Sequence, residues 1–167
     1  MPNVEVYEQL YPVRFHRQEF RIDAAGPGEW RGGSGCEYEV DILTPATHSF
    51  RGEGLNYETG YGINGGDAGA CGRMHLRHDD GDGNGGADED APKYGLRSTG
   101  PVRFVTSSPG GGGYGAPLAR DPARVLRDLR DGIISENTMK EIYGVVATAD
   151  GRGVDAEKTA ELRASMN

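Results

Sequence analysis

Ser107-Ser108-Pro109-Gly110-Gly111-Gly112-Gly113-Tyr114-Gly115 is the stretch that decides how this chain folds. Four consecutive glycines lose more backbone freedom on folding than any other residues would. A folded protein keeps such a run where the backbone needs positive φ, or where something approaches it closely. The run is therefore a site, or a seam against another chain. Gly110-x-Gly112-x-x-Gly115 has the spacing of a dinucleotide fingerprint, but its context excludes that reading. A helix should open at the third glycine so that its N-terminus faces the pyrophosphate. Here Ala116-Pro117 follows, and the next helix waits until about Asp121. No Lys-Ser/Thr pair follows, so the run is not a phosphate-cradling P-loop either.

Composition narrows the class further. The chain has 167 residues, 28 of them glycine, and only 35% are apolar. That balance favours a loop-rich, β-dominated body over a helical bundle. A net charge of −8 argues against binding a phosphate backbone, so no nucleic acid is expected as a partner. No apolar run approaches the ~18 residues that cross a membrane. The N-terminal residues lack the basic and apolar regions of a signal peptide, so the expected location is the cytoplasm. In that compartment Cys36 and Cys71 are expected to be free, buried thiols.

Outward from the run, alternation marks the strands. Val13, Phe15, Phe20 and Ile22 predict one or two strands over 13–23, with a bulge near Arg17. Cys36, Tyr38, Val40 and Ile42 share one face of a strand over 36–43. Residues 101–107 lead into the run as another strand. Residues 1–12 read as a lead-in in which Val4 and Val6 alternate with acids, and 79–92 as a low-complexity acidic loop. The tail changes character. Asp121 caps a helix with Pro122 at its first position, Val125, Leu126 and Leu129 form its apolar stripe, and Gly132 stops it. Ser135 caps a second helix ending at Tyr143-Gly144, Val145-Val146 predict a last strand, and Asp155 caps a final helix. The expected class is α+β, mainly β. A glycine-rich antiparallel β body spans 1–118, and a short helical tail over 119–167 packs on it or on a partner chain.

Few side chains suggest chemistry. Cys71, His75 and His78 have poor spacing for zinc: on a strand the two histidines would face opposite ways, and no paired cysteines exist. Ser107 and Ser108 lack a base and a nucleophile elbow, and read as turn hydrogen-bonders. Arg51, Glu53, Tyr57, Tyr61 and Tyr114 lie near glycine clusters, where such groups orient a small polar ligand or fix loops. No metal site is expected.

Taken in order, the clusters carry a resemblance. Asp23-Ala24-Ala25-Gly26 precedes Arg31-Gly32-Gly33-Ser34-Gly35. Gly62-Ile63-Asn64-Gly65-Gly66 and the glycine run follow, and then Arg120-Asp121-Pro122, Val125, Asp128, Gly132, Ile134-Ser135 and Tyr143-Gly144-Val145-Val146. This order resembles the C-terminal part of the hydantoinase B / 5-oxoprolinase family, which is related to the acetone and acetophenone carboxylase large subunits. Where relatives usually carry D-S-G-G-x-G, this chain has Asp23-Ala24-Ala25-Gly26-Pro27-Gly28, so a serine hydroxyl is missing at Ala24. The resemblance implies a small split-off subunit, inactive alone. Its partners would be a larger hydantoinase B-like subunit and a hydantoinase A-like ATP-binding subunit. It implies no cofactor on this chain, with ATP, magnesium and a divalent metal in those partners. The implied activity is hydrolysis of a phosphate-activated cyclic amide. ATP-dependent ketone carboxylation and a purely structural role are the alternatives. Gly110, Gly111, Gly112, Gly113 and Tyr114 are the expected substrate-facing or oxyanion loop. Asp23, Arg31, Gly32, Gly33, Arg51, Glu53 and Tyr61 are its expected supports.

Overall fold

A computed structural model describes residues 3–78 and 88–166. Among these described residues, seven strands and four α-helices follow in chain order: α1 (Val4–Leu10), β1 (Val13–Phe20), β2 (Cys36–Ile42), β3 (Ala46–Arg51), β4 (Arg73–Arg77), β5 (Asp88–Asp90), β6 (Tyr94–Thr99), β7 (Val102–Ser107), α2 (Pro122–Arg130), α3 (Glu136–Glu141) and α4 (Ala156–Met166). Sheet and helices together give the mainly antiparallel α+β class the sequence predicts.

The chain divides into two compact units that interleave along the sequence. The sheet unit comprises Met1–Glu19, Cys36–Tyr57 and Gly72–Ser108, and the glycine unit comprises Phe20–Gly35, Glu58–Cys71 and Pro109–Asn167. The expected boundary at 118/119 falls inside the glycine unit. The helical tail and the glycine clusters therefore belong to one body, and the strands to the other.

In the sheet unit, five strands run in the order β1-β2-β7-β4-β5, and β3 pairs with β6 separately. Alternation sorts the side chains by face. Val40 pairs across from Phe104, Ile42 from Val102, and Leu76 from Phe104. Leu76, Val102 and Phe50 form the buried core, with Ile42, Met74, Ala91 and Phe104 against it. His48 of β3 lies edge-on to Phe104 at 4.9 Å, and burial holds its pKa below the usual histidine value. The intervening residues form a charged ladder on the opposite face. Arg103 bonds Asp41 at 2.5 Å and Glu39 at 3.1 Å, His16 lies 2.7 Å from Asp41, and Arg77 bonds Asp88 at 2.7 Å. The Arg103 hydrogen bond, reinforced by His16, holds the Asp41 carboxyl below the usual range.

Several expectations change here. The lead-in contains a helix, α1, capped by Asn3, whose side chain accepts from Glu5 N. Local capping overrode the Val4/Val6 alternation, which is too short to specify a strand. Asp88–Asp90, expected in the acidic loop, form β5, because β4 offers an edge with Arg77 opposite Asp88. The rest of that loop, 79–87, lies outside the described residues. Val145-Val146 is not a strand; the bridge joins Ala147 to Val154 instead. The two thiols are free and half-buried.

The tail follows its capping signals closely. Asp121 Oδ1 accepts from Ala123 N, Ser135 Oγ from Thr138 N, and Asp155 Oδ1 from Lys158 N. Gly132 and Gly144 take φ of 68° and 60°. Val125, Leu126, Ile133, Ile134, Met139, Tyr143 and Val145 make the core of this unit. No helix among the described residues is long and apolar enough to cross a membrane.

Candidate functional site: a glycine lattice locked by a buried arginine–aspartate pair

Among the described residues the glycine-rich segments contribute no regular strand. They run side by side in extended form and exchange backbone hydrogen bonds. Gly110 N donates to Ala70 O at 2.9 Å, Gly111 N to Gly33 O at 3.0 Å, and Gly113 N to Asp67 O at 2.9 Å. Gly26 N donates to Gly111 O, Gly32 N to Gly26 O, Asp67 N to Pro27 O, and Ala70 N to Ala24 O. Trp30 and Tyr114 exchange both bonds at 2.8–2.9 Å, and Ile63 N donates to Gly113 O.

Close approach, not positive φ, explains the central run. None of Gly110 to Gly113 has φ in the left-handed region. A Cβ on Gly110 would lie 1.7 Å from Ala24 O, on Gly112 1.9 Å from Tyr61 O, and on Gly113 1.9 Å from Pro27 O. Real Cβ atoms do not come within 3.0 Å of such atoms. The glycines let backbones touch backbones on several sides at once, which a sheet with side chains does not permit.

A buried ionic cluster fastens this lattice to the tail. Asp128, on the inner face of α2, takes Arg120 Nη2 at 2.8 Å and lies 3.0 Å from Arg31 Nε. Arg120 also donates to Glu29 O at 2.9 Å, and Arg31 to Gly32 O at 3.0 Å. Arg163 of α4 donates to Arg120 O and Tyr143 O. Arg120 and Asp128 are only 7% and 6% exposed. Tyr143 is fully buried beside them, and burial pushes its phenol above the usual value. Asp23 sits in the left-handed region at φ 57°, and its Oδ1 accepts from Ser135 N at 2.8 Å.

The expected site residues separate. Gly110, Gly111, Gly112, Gly113, Tyr114, Asp23, Arg31, Gly32, Gly33 and Tyr61 lie in the glycine unit. Arg51 and Glu53 lie in the sheet unit, where Arg51 pairs across from Tyr94 and Glu53 accepts from Tyr57 beside Lys93. Three of the run's four N–H groups are spent on internal carbonyls; Gly112 N–H donates no hydrogen bond among the described residues. Asp23 and Arg31 tie segments together. His75 pairs with Asp90 and His78 with Glu89. Among the described residues no group of three or more His, Cys, Asp or Glu is placed to hold a metal ion. An open groove of about 500 Å³ lies where the start of α2 meets α4. Its only charged lining groups, Asp121 and Arg163, already serve α2 and the Arg120 and Tyr143 carbonyls.

Arg120, Asp128 and Tyr143 stand out in the sequence as parts of a motif, but not as a buried cluster. The available signal was Asp128 itself, three residues after Val125, which puts an acid on the apolar stripe of α2. A buried acid needs a cation, and Arg120 is one helical approach away.

Comparisons with known proteins fit this arrangement. A family profile described as Hydantoinase B/oxoprolinase matches residues 1–117. A protein described as the B-type component of a D-/L-hydantoinase, from Pseudomonas sp. (strain NS671), is 36% identical over 96% of this chain and 26% of its own length. The beta chain of the caprolactamase of Pseudomonas jessenii is 37% identical over 98% of this chain and 28% of its own length. The crystal structure of that ATP-dependent caprolactamase matches with a TM-score of 0.73, covering 97% of this chain and 28% of the solved one. An acetone carboxylase structure matches with a TM-score of 0.72 at 25% identity, covering 99% of this chain and 26% of the solved one. The chain thus spans about a quarter of the length of the relatives it matches. With most of its length inside the family profile and its whole fold shared with these relatives, the chain belongs to the hydantoinase B/oxoprolinase family.

Proposed function

We propose that this chain is one component of an ATP-dependent enzyme that opens a cyclic amide, and that it completes the hydantoinase B half of that enzyme. One observation carries the choice of substrate class. Identity to the hydantoinase and caprolactamase chains is 36–37% across nearly the whole chain, against 25% to the acetone carboxylase chain over the same span.

An amide carbonyl is a poor electrophile. Transfer of the γ-phosphoryl group of ATP to the carbonyl oxygen, with ADP leaving, makes the carbon reactive. Water then adds, the C–N bond breaks to leave an acyl phosphate, and a second water releases phosphate. In this reading ATP, magnesium and a divalent metal belong to the partners, a larger hydantoinase B-like subunit and a hydantoinase A-like subunit. This chain supplies a rigid wall. Its lattice is pre-organised by backbone bonds, so it excludes water without reorganising during the reaction. Gly112 N–H is the amide of the run still available to an oxyanion.

The test is ADP release by the reconstituted complex. Hydantoin, 5-oxoproline or caprolactam should stimulate it, and leaving out this chain should abolish the stimulation. Stimulation by acetone or acetophenone with bicarbonate, and by no cyclic amide, would establish the carboxylase alternative instead. Full turnover without this chain would leave only an assembly role.

A further inference from the structure

We propose that Trp30, Ile63 and Tyr114 form the docking surface for the longer hydantoinase B-type polypeptide, an inference that rests on the subunit reading above. These residues sit on three neighbouring segments of the glycine unit. Trp30 bridges Tyr114 antiparallel, and Ile63 bridges Tyr114 in parallel, so the three lie side by side. Their exposures are 53%, 59% and 50%, and Tyr61, two residues before Ile63, is 70% exposed. Arg124 stacks on Trp30, 4.9 Å from the ring centroid, at the rim.

Solvent-facing Trp, Tyr and Ile in one row are unusual on a surface meant to stay in water. Trp and Tyr are also the residues that dominate binding energy at interfaces. The backbone beneath is fixed. Trp30 and Tyr114 hold each other through two hydrogen bonds, and Ile63 is held by Gly113 O and Gly115 N. Binding therefore orders no backbone, which removes one of the main costs of association. The exposed Val6, Tyr7 and Leu10 offer no such platform, because α1 buries no residue of its own.

The length of the relatives supplies the occupant we propose. In the caprolactamase and acetone carboxylase structures, the matching region makes up 28% and 26% of a single chain. The same fold there is a minority of a much larger polypeptide. The occupant proposed here is the counterpart of that remainder, presenting an apolar segment to the row.

The chain contains one tryptophan, so 5-fluorotryptophan labelling reports on Trp30 alone. The labelled chain is titrated with the unlabelled longer hydantoinase B-type chain of the same organism and followed by ¹⁹F NMR. The expected result is a shifted, solvent-protected resonance on binding. Ile63→Glu should weaken binding by at least about ten-fold, the scale of an interface hot spot. Its thermal unfolding should match wild type, because Ile63 is exposed. If the complex forms with the resonance unmoved, and Ile63→Glu binds like wild type, the surface is wrong and the subunit reading stands. If wild type binds no longer chain at all, the subunit reading fails and takes this one with it. A self-associated dimer that Ile63→Glu abolishes, and that persists when the longer chain is added, overturns the proposal in favour of a second copy.

Discussion

Gly110→Ala should be among the most damaging single-methyl additions available in this protein. The new Cβ would lie 1.7 Å from Ala24 O, where ordinary contact begins at 3.4 Å. The carbonyl would have to retreat by about 1.7 Å to reach ordinary contact, which a close-packed interior does not permit. Ala24 is fully buried, and its carbonyl accepts from Ala70 N at 2.9 Å. Ala70 O in turn accepts from Gly110 N at 2.9 Å. Two buried backbone hydrogen bonds are lost together, at about 1–3 kcal/mol each when the groups stay unsatisfied. The sum is about 4 kcal/mol, or about 8–16 °C in Tm for a chain of this size. Gly33→Ala is the matched control. A Cβ there meets nothing within 4 Å, and its φ is not in the left-handed region. It should be neutral, or stabilise by about 0.5 kcal/mol through the unfolded chain. Differential scanning calorimetry and urea unfolding of both variants decide the matter. Gly110→Ala unfolding within about 2 °C of wild type would refute the close-approach argument. Equal damage from the two variants would do so too, because glycine flexibility would then be the common cause.

Asp128→Asn should destabilise the chain by about 3 kcal/mol, because Arg120 keeps its charge in a buried site without its counter-ion; chemical denaturation at neutral pH measures it, and a loss under about 1 kcal/mol would contradict the cluster's role. Asp23→Ala should cost about 1–2 kcal/mol through the lost hydrogen bond from Ser135 N and the left-handed backbone, whereas Asp23→Asn, which can keep both, should stay near wild type in thermal unfolding. Acid stability should track Asp41. Its carboxyl is held below the usual range by the Arg103 hydrogen bond and then by His16. Its stabilisation is therefore complete above the unfolded carboxylate value near ~4 and is lost as pH falls through the lower folded value. Asp41→Asn should remove about 1 kcal/mol at pH 7 and flatten the acid limb of a Tm-versus-pH curve; an unchanged acid limb would count against the charged ladder.

Local signals were legible wherever neighbouring residues suffice to settle the structure. Asp121, Ser135 and Asp155 specify helix starts through their own side-chain hydrogen bonds, and Gly132 specifies a stop through its φ. Alternation of Tyr38, Val40 and Ile42 with Glu37, Glu39 and Asp41 identified β2, because side chains on a strand change face every two residues; every residue of β2 is half-buried. The pattern failed at α1, where seven residues bury nothing and capping alone decides. It failed again at Asp88–Asp90, whose strand exists because β4 presents an edge and Arg77 a charge.

The same division runs through the glycine run. Sequence by itself determined that four glycines at 110–113 needed a strong reason, and the order of the surrounding clusters determined the family. Which reason applied was decided only by the tertiary structure. Positive φ is a property of one residue, but close approach belongs to segments far apart in the chain: Ala24 and Pro27, Tyr61, and the run itself. A residue can signal what its own backbone tolerates; it cannot signal which distant carbonyl will stand against it. The fold supplied that, and it turned the run from a loop with amides to offer into a lattice whose amides, Gly112 apart, are already bonded.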